Sequence, residues 1–239
     1  MSNVPDLMHA SCLGILQYLL GSVTWDLFRA LGGTWKGKMM THACGIIENM
    51  TKLLAKDLNL ESPFHTLTIG MFRTQKSKPK MRLKATQARR YLQILWRMLQ
   101  RFFPPDNEFE EMRLNCVEFI ARIYLELDAW IPNGVSSRRV AEFGRRHLML
   151  YSELCSQRPE LYKLYPKHHL FAHCIELTGA NPSNPKLLWN YSDEDEIGKC
   201  VLTAGNNHCN QRYFPVCLTA RYRRVVKRPH VGDRDGVEG

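Results

Sequence analysis

EFEEMRLNCVEFIARIYLELDAW, residues 108–130, is the stretch whose reading decides the fold class. Phe109, Met112, Cys116, Phe119, Ile120, Ile123, Tyr124, Leu127 and Trp130 recur at intervals of three and four, the period of an α-helix with one apolar face. Glu108, Glu110 and Glu111 stand at its start, where carboxylates meet the positive end of the helix dipole. Pro104-Pro105 ends whatever precedes it, Asp106 is placed to cap, and Pro132-Asn133-Gly134 supplies a turn after it.

The same period extends outward on both sides. Ala88, Tyr91, Leu92, Leu95, Met98, Leu99 and Phe102 form an apolar stripe on a helix predicted over Thr86 to Phe103, with Arg90, Arg97 and Arg101 opposite. Ser136 or Ser137 opens another helix reaching Cys155, buried through Val140, Phe143, His147, Leu150, Tyr151 and Leu154. Near the start of the chain, Asp6 can cap a helix from Leu7 to Leu31 that stops at Gly32-Gly33. Gly14 and Gly21 share one of its faces and permit close packing. A further helix is expected from Lys38 to Leu58, closed at Ser62-Pro63. His168 to Leu177 has no decisive period, and helix and strand both stay open. Asp193 to Ala204 and Gln211 to Val226 read as helices, and residues from Pro229 as a polar tail. The fold class expected is mainly α, in segments 1–72, 73–160, 161–228 and 229–239.

The 239 residues are 44% hydrophobic and 10% aromatic, enough to bury a sizeable core. The uncharged stretch from Ala10 to Trp25 is too short and polar for a membrane span and reads as a buried helix. Eight cysteines lie without a repeated short spacing. Asp6 and His9 interrupt the start, and no basic segment leads an apolar one, so reduced thiols and an intracellular, in a eukaryote nuclear, location are expected.

The formal charge is +10 and the pI about 9.3. Ten bases and no acid lie between Arg73 and Arg101, and six bases without an acid between Arg212 and Arg228. Tyr91, Trp96, Tyr213, Phe214 and Tyr222 are interleaved with them, a mixture suited to phosphate contact and base stacking. Arg73, Lys76, Lys78, Lys80, Arg82, Lys84, Arg90, Arg97, Arg101, Arg221, Arg223, Arg224 and Lys227 are the candidate nucleic-acid contacts, with DNA the expected partner and no membrane. A solvated basic face is the alternative, in a helical interaction module whose charge is incidental.

Asp6 and the run Asp193-Glu194-Asp195-Glu196 are the carboxylates of interest, because hard divalent cations take carboxylate oxygens. Taken alone, the acid run reads first as a helix N-terminus facing water, and Asp6 first as a cap. His169 and His173, four apart, share a face if helical, with His168, Cys174, Cys200, His208 and Cys209 as further donors. No cysteine pair has zinc-ribbon spacing, and packing or hydrogen bonding is the first expectation for these histidines. There is no nucleophile elbow, phosphate loop or dinucleotide fingerprint.

Two segments are familiar together. Pro5-Asp6-Leu7-Met8-His9-Ala10-Ser11-Cys12-Leu13-Gly14-Ile15 resembles the D-x-M-H-x-x-x-x-G segment of CACTA-type and related eukaryotic DDE transposases. Tyr165-Pro166-Lys167-His168-His169-Leu170-Phe171-Ala172-His173 resembles their P-K-x-H-x-x-x-H segment, with Lys167, His168 and His173 among its residues, and Tyr191-Ser192-Asp193-Glu194 follows it. The resemblance implies an RNase H-like portion formed by the two ends of the chain, a helical insertion over about 80–160, and Asp6 and Glu194 as second and third catalytic acids. It also implies Mg2+ or Mn2+ held by Asp6, Asp193 and Glu194. The family's first aspartate has no counterpart, so the expectation is a transposase-derived DNA-binding protein that is catalytically incomplete. A metal-dependent nuclease or strand transferase using Asp6 and Glu194 is the other reading.

Overall fold

The structure is a computed structural model, and it describes residues 7–32, 38–73 and 79–188. All of them fall within one unit, Met1–Trp189. The expectation of a mainly α fold is met. One α turn, α1 (Leu7–Ala10), passes through a π-helical turn (Ser11–Ile15) into α2 (Leu16–Ala30). There follow α3 (Lys38–Asp57), α4 (Ala85–Phe102), α5 (Glu108–Asp128), α6 (Val135–Gln157) and α7 (Pro166–Ala180). Strand among the described residues is limited to the antiparallel pair β1 (Phe72–Arg73) and β2 (Lys80–Met81).

The centre is α2, which has almost no face turned to water. From Leu16 to Phe28 only Tyr18 is as much as half-buried; the rest are buried. A helix apolar all round has to be wrapped by other elements. Here α3, α4, β2 and the π turn do the wrapping. Its four buried polar side chains then need partners, because an unpaired polar group in the core costs more than its bond gains. Each reaches a different segment. Gln17 donates to the carbonyl of Leu83 at 2.7 Å, and Ser22 to that of Leu161 at 2.7 Å. Thr24 lies 2.9 Å from the Tyr91 hydroxyl, and Asp26 pairs with Arg113.

The π turn has a local cause in Ser11. Its hydroxyl donates to the Leu7 carbonyl four residues back at 2.6 Å, competing for an acceptor of the α ladder. It also meets the Tyr124 hydroxyl at 2.8 Å, with Cys12 Sγ 2.9 Å from the same oxygen. The helix therefore widens where its polar side chains dock on α5.

The basic stretch from Arg73 is flanked by the short β1–β2 pair. Phe72 and Met81 stand opposite each other and are both buried. The Phe72 ring packs edge-on against Trp25 and Phe28, at 5.6 and 5.5 Å between centroids. Burial of these two residues ties the ends of the segment to α2, which local composition could not reveal.

Residues 168–177, undecided in sequence, are helical. Tyr165 is the N-cap of α7, Pro166 takes the first turn, and His168 Nδ1 accepts the Tyr165 N–H at 3.0 Å. The period was faint because Leu170 and Leu177 are exposed while Phe171, Cys174 and Ile175 are buried. Helices α5, α6 and α7 pack in succession. The last two approach closely at glycines: a Cβ on Gly144 would lie 2.6 Å from Ile175, and one on Gly179 would lie 2.9 Å from Cβ of Ala141.

Gly21 is the tightest contact of the central helix. A Cβ there would meet the backbone of residues 79–81, at 2.6 Å from the Pro79 oxygen and 2.7 Å from the Met81 nitrogen. Backbone cannot rotate away, so Gly21→Ala is expected to lower the urea midpoint of unfolding, at a cost of about 1–3 kcal/mol. An unchanged midpoint would show that β2 does not pack against α2.

Candidate nucleic-acid interface

Arg90, Arg97 and Arg101 lie on one stripe of α4, since steps of seven and four residues return to nearly the same side of a helix. They do not form an unopposed positive face. Arg90 pairs with Glu61 and Arg101 with Asp57, at 2.5 and 2.9 Å, both acids coming from the end of α3 and the loop after it. Arg97 between them has no acid partner among the described residues; its guanidinium lies 4.9 Å from the Trp96 ring centroid and bonds Gln100. Arg89, in the same acid-free run of sequence, pairs with Asp128 of α5. The stretch is acid-free along the chain but not in space.

The remaining candidates divide. Arg82 and Lys84 are exposed, and neither has an ion pair among the described residues. Lys80 sits over the Tyr18 ring at 4.9 Å. Of Arg73 only the backbone is described. Lys76, Lys78, Arg221, Arg223, Arg224 and Lys227 lie outside the described residues, as do the expected catalytic and metal-holding acids Asp6, Asp193 and Glu194. The two segments that carry the transposase resemblance do meet within the described part, because α1 packs against α7. Among the described residues no group of three or more His, Cys, Asp or Glu is arranged to hold a metal ion. No described helix is long and apolar enough to cross a membrane.

A second set of bases, not anticipated in sequence, lies on α6. Arg138, Arg139, Arg145 and Arg146 are all exposed. Arg139 pairs with Glu126 and Arg146 with Glu142. Arg138 and Arg145 have no acid partner among the described residues. Seven residues apart, they share a face with their stems about 10 Å apart along the axis. Both line an open groove between α6 and α7, with Ala141 and Gly179 at its floor and Glu142 and Glu176 at its sides. The signal was present as two Arg-Arg pairs in SSRRVAEFGRR, one helical period of seven apart, but acids dilute the charge there.

Behind this groove α5, α6 and α7 enclose two histidines. His147 is wholly buried, and its Nδ1 lies 2.9 Å from the Cys116 carbonyl. Its pKa is pushed down to about 4 by burial, against the bond to Cys116. His168 stacks on Tyr151 with centroids 4.5 Å apart, and burial lowers its pKa also to about 4. The Nε2 atoms of both lack hydrogen-bond partners. His147 must carry its proton on Nδ1 to bond a carbonyl, so its Nε2 is an acceptor. His168 must accept at Nδ1 from Tyr165, so its Nε2 is a donor. His168, a residue of the resembling motif, thus caps α7 and fills the core. Cys174, a suggested metal donor, is buried away from the exposed His169 and His173.

Comparison with protein-family models, with characterised proteins and with solved structures finds no match to this chain.

Neutral His147 and His168 give the fold an acid limit. Their folded pKa values lie below the ordinary value of 6.5, so the unfolded chain binds more protons between about pH 4 and 6.5. Stability from this source is complete above pH 6.5 and lost as pH falls toward 4, by roughly 1.4 kcal/mol per pH unit for each histidine. NMR titration of the histidine ring protons is expected to show two that stay neutral to about pH 4. Titration of every ring near 6.5 would contradict the burial described.

Proposed function

We propose that this chain binds DNA through its phosphates and descends from a DDE transposase, with the α6–α7 groove as one contact surface. The observation that carries the reading is the pair Arg138 and Arg145. They share a face, are exposed, and have no carboxylate within ion-pair distance among the described residues, although Glu142 and Glu176 line the same groove. Arginine in that state can exchange counterions for phosphate oxygens without breaking an existing bond. Arg97 beside Trp96, with exposed Arg82 and Lys84, is a second element of the surface, and a ring next to a guanidinium suits an unpaired base. The charge of +10 adds long-range attraction to any polyanion.

Descent from a transposase rests on the two resembling segments and is supported by the packing of α1, which follows Asp6, against α7, which precedes Glu194. A phosphodiester reaction through Asp6, Asp193 and Glu194 with Mg2+ or Mn2+ belongs to the same descent, but no described side chain argues for it. The function proposed is therefore binding to the phosphate backbone, which positions a protein on a duplex without base-specific readout.

Anisotropy titrations of a short labelled duplex test this. Affinity is expected to fall linearly on a log–log plot between about 50 and 200 mM salt, with a slope of about −0.9 per neutralised phosphate. Arg138→Ala with Arg145→Ala should flatten that slope by about 2 and weaken unrelated sequences equally. Absence of binding at the lowest salt removes the proposal, and an unaltered slope in the double variant removes the groove from it.

A further inference from the structure

The exposed side of α7 carries a histidine pair that neither the core nor the arginine groove uses. His169 and His173 are one turn apart, and both are exposed. Their rings meet edge to face with centroids 4.4 Å apart, and the two Nε2 atoms lie 3.0 Å from each other. On its other side His173 Nδ1 is 3.7 Å from Glu176 Oε2, three residues on.

We infer that His169 and His173 form a two-histidine chelate for a divalent first-row transition ion, with Glu176 as the carboxylate that orients His173. Three features point there. The two Nε2 atoms face each other across 3.0 Å on the exposed side of the helix, one N–H donating to the other's lone pair, so a small ring rotation turns both toward one ion. The separation fits a metal: with metal–nitrogen bonds of about 2.05 Å, atoms 3.0 Å apart subtend roughly 95°. That is close to the right angle of square-planar and octahedral ions and narrower than the tetrahedral angle, which favours Ni2+ or Cu2+ over Zn2+. The Glu176 carboxylate lies 3.7 Å from His173 Nδ1, near enough to favour the proton on Nδ1 and close to the hydrogen bond that a metal-ligating histidine makes with its second nitrogen.

Each neutral imidazole carries one proton, so the ring whose Nε2–H now donates moves that proton to its Nδ1 by exchange with water; both Nε2 lone pairs are then free for the ion, and the other coordination positions go to water or to an oxygen of a second molecule. With two protein ligands the affinity is modest, and the site is selective by angle more than by strength. The two imidazoles lie outside the Arg138 and Arg145 groove, while Glu176 also lines it, so the histidine variants separate metal binding from DNA binding.

Calorimetric titration of the full chain with NiCl2 alone tests the assignment, alongside the folded variants His169→Ala, His173→Ala and Glu176→Gln. One Ni2+ site should weaken at least tenfold in either alanine variant, and about tenfold in Glu176→Gln. Titration with Cu2+ should give a nitrogen-coupled electron resonance signal from two imidazoles in the parent and lose one of them in His173→Ala. Because both rings are exposed, circular dichroism is expected to be unchanged in every variant. Ni2+ binding of equal affinity and stoichiometry in the parent and in the double alanine variant overturns the inference, as does a parent that binds no Ni2+.

Discussion

A helix with no side open to water dictates the rest of this structure. Once α2 is apolar all round, its neighbours must cover it completely, and its few polar side chains settle where they stand. Gln17, Ser22, Thr24 and Asp26 each hold a different segment: the lead into α4, the middle of the α6–α7 connection, α4 itself and α5. The strictest of these is Asp26, which is 8% exposed against an Arg113 that is 4% exposed. Two charges removed from water repay their desolvation only when they stay together, so α5 has little freedom to slide along α2. Arg158 reaches the same carboxylate at 3.9 Å, which brings the end of α6 into that arrangement. Apolar burial supplies most of the stability, about 1.5–3 kcal/mol for each large side chain enclosed. The polar pairs supply register.

Much of this was legible in advance because it is written locally. The helices α4, α5 and α6 follow from apolar period and from their bounding prolines, acids and turn residues, and their ends fall within two residues of expectation. What escaped is non-local. The β1–β2 pair exists because Phe72 and Met81 lie beneath α2, a contact that spans some fifty residues. Helix α7 hides its period because Leu170 and Leu177 are apolar and exposed, while His168 is polar and buried. A residue-by-residue scale misplaces all three.

Charge shows the same difference more sharply. The run from Arg73 to Arg101 has no acid in sequence, yet Glu61, Asp57 and Asp128 come from elsewhere to meet Arg90, Arg101 and Arg89. On α6 the acids are intermixed with the bases, and that helix keeps two guanidinium groups without an ion pair among the described residues. Sequence density of charge is thus a poor guide to available charge. Net charge is a sound guide to the far field, because pairing cancels local potential without altering the sum. A polyanion approaching this molecule responds first to the total and only at contact to the unpaired groups. Association rate and bound affinity are therefore set by different residues.

The motif Tyr165-Pro166-Lys167-His168 has a sufficient physical reason for its form without chemistry. Tyr165 in extended backbone followed by Pro166 starts a helix where no N–H is wasted, and His168 returns a bond to the cap while its ring fills space against Tyr151. Tyr165 in turn stacks on Tyr18 of the central helix at 4.0 Å. A motif can therefore persist because it places a helix, and the helix then carries whatever faces outward from it. Here the outward residues are His169, His173 and Glu176, which contribute nothing to that placement. Inward, the spacing of three and four seats His168, Phe171 and Ile175 in the core. The same period, read from the opposite side, aligns the two imidazoles that face solvent. Structural and chemical uses of this segment are separable because they occupy opposite faces of one helix, and a substitution on either face should leave the other intact.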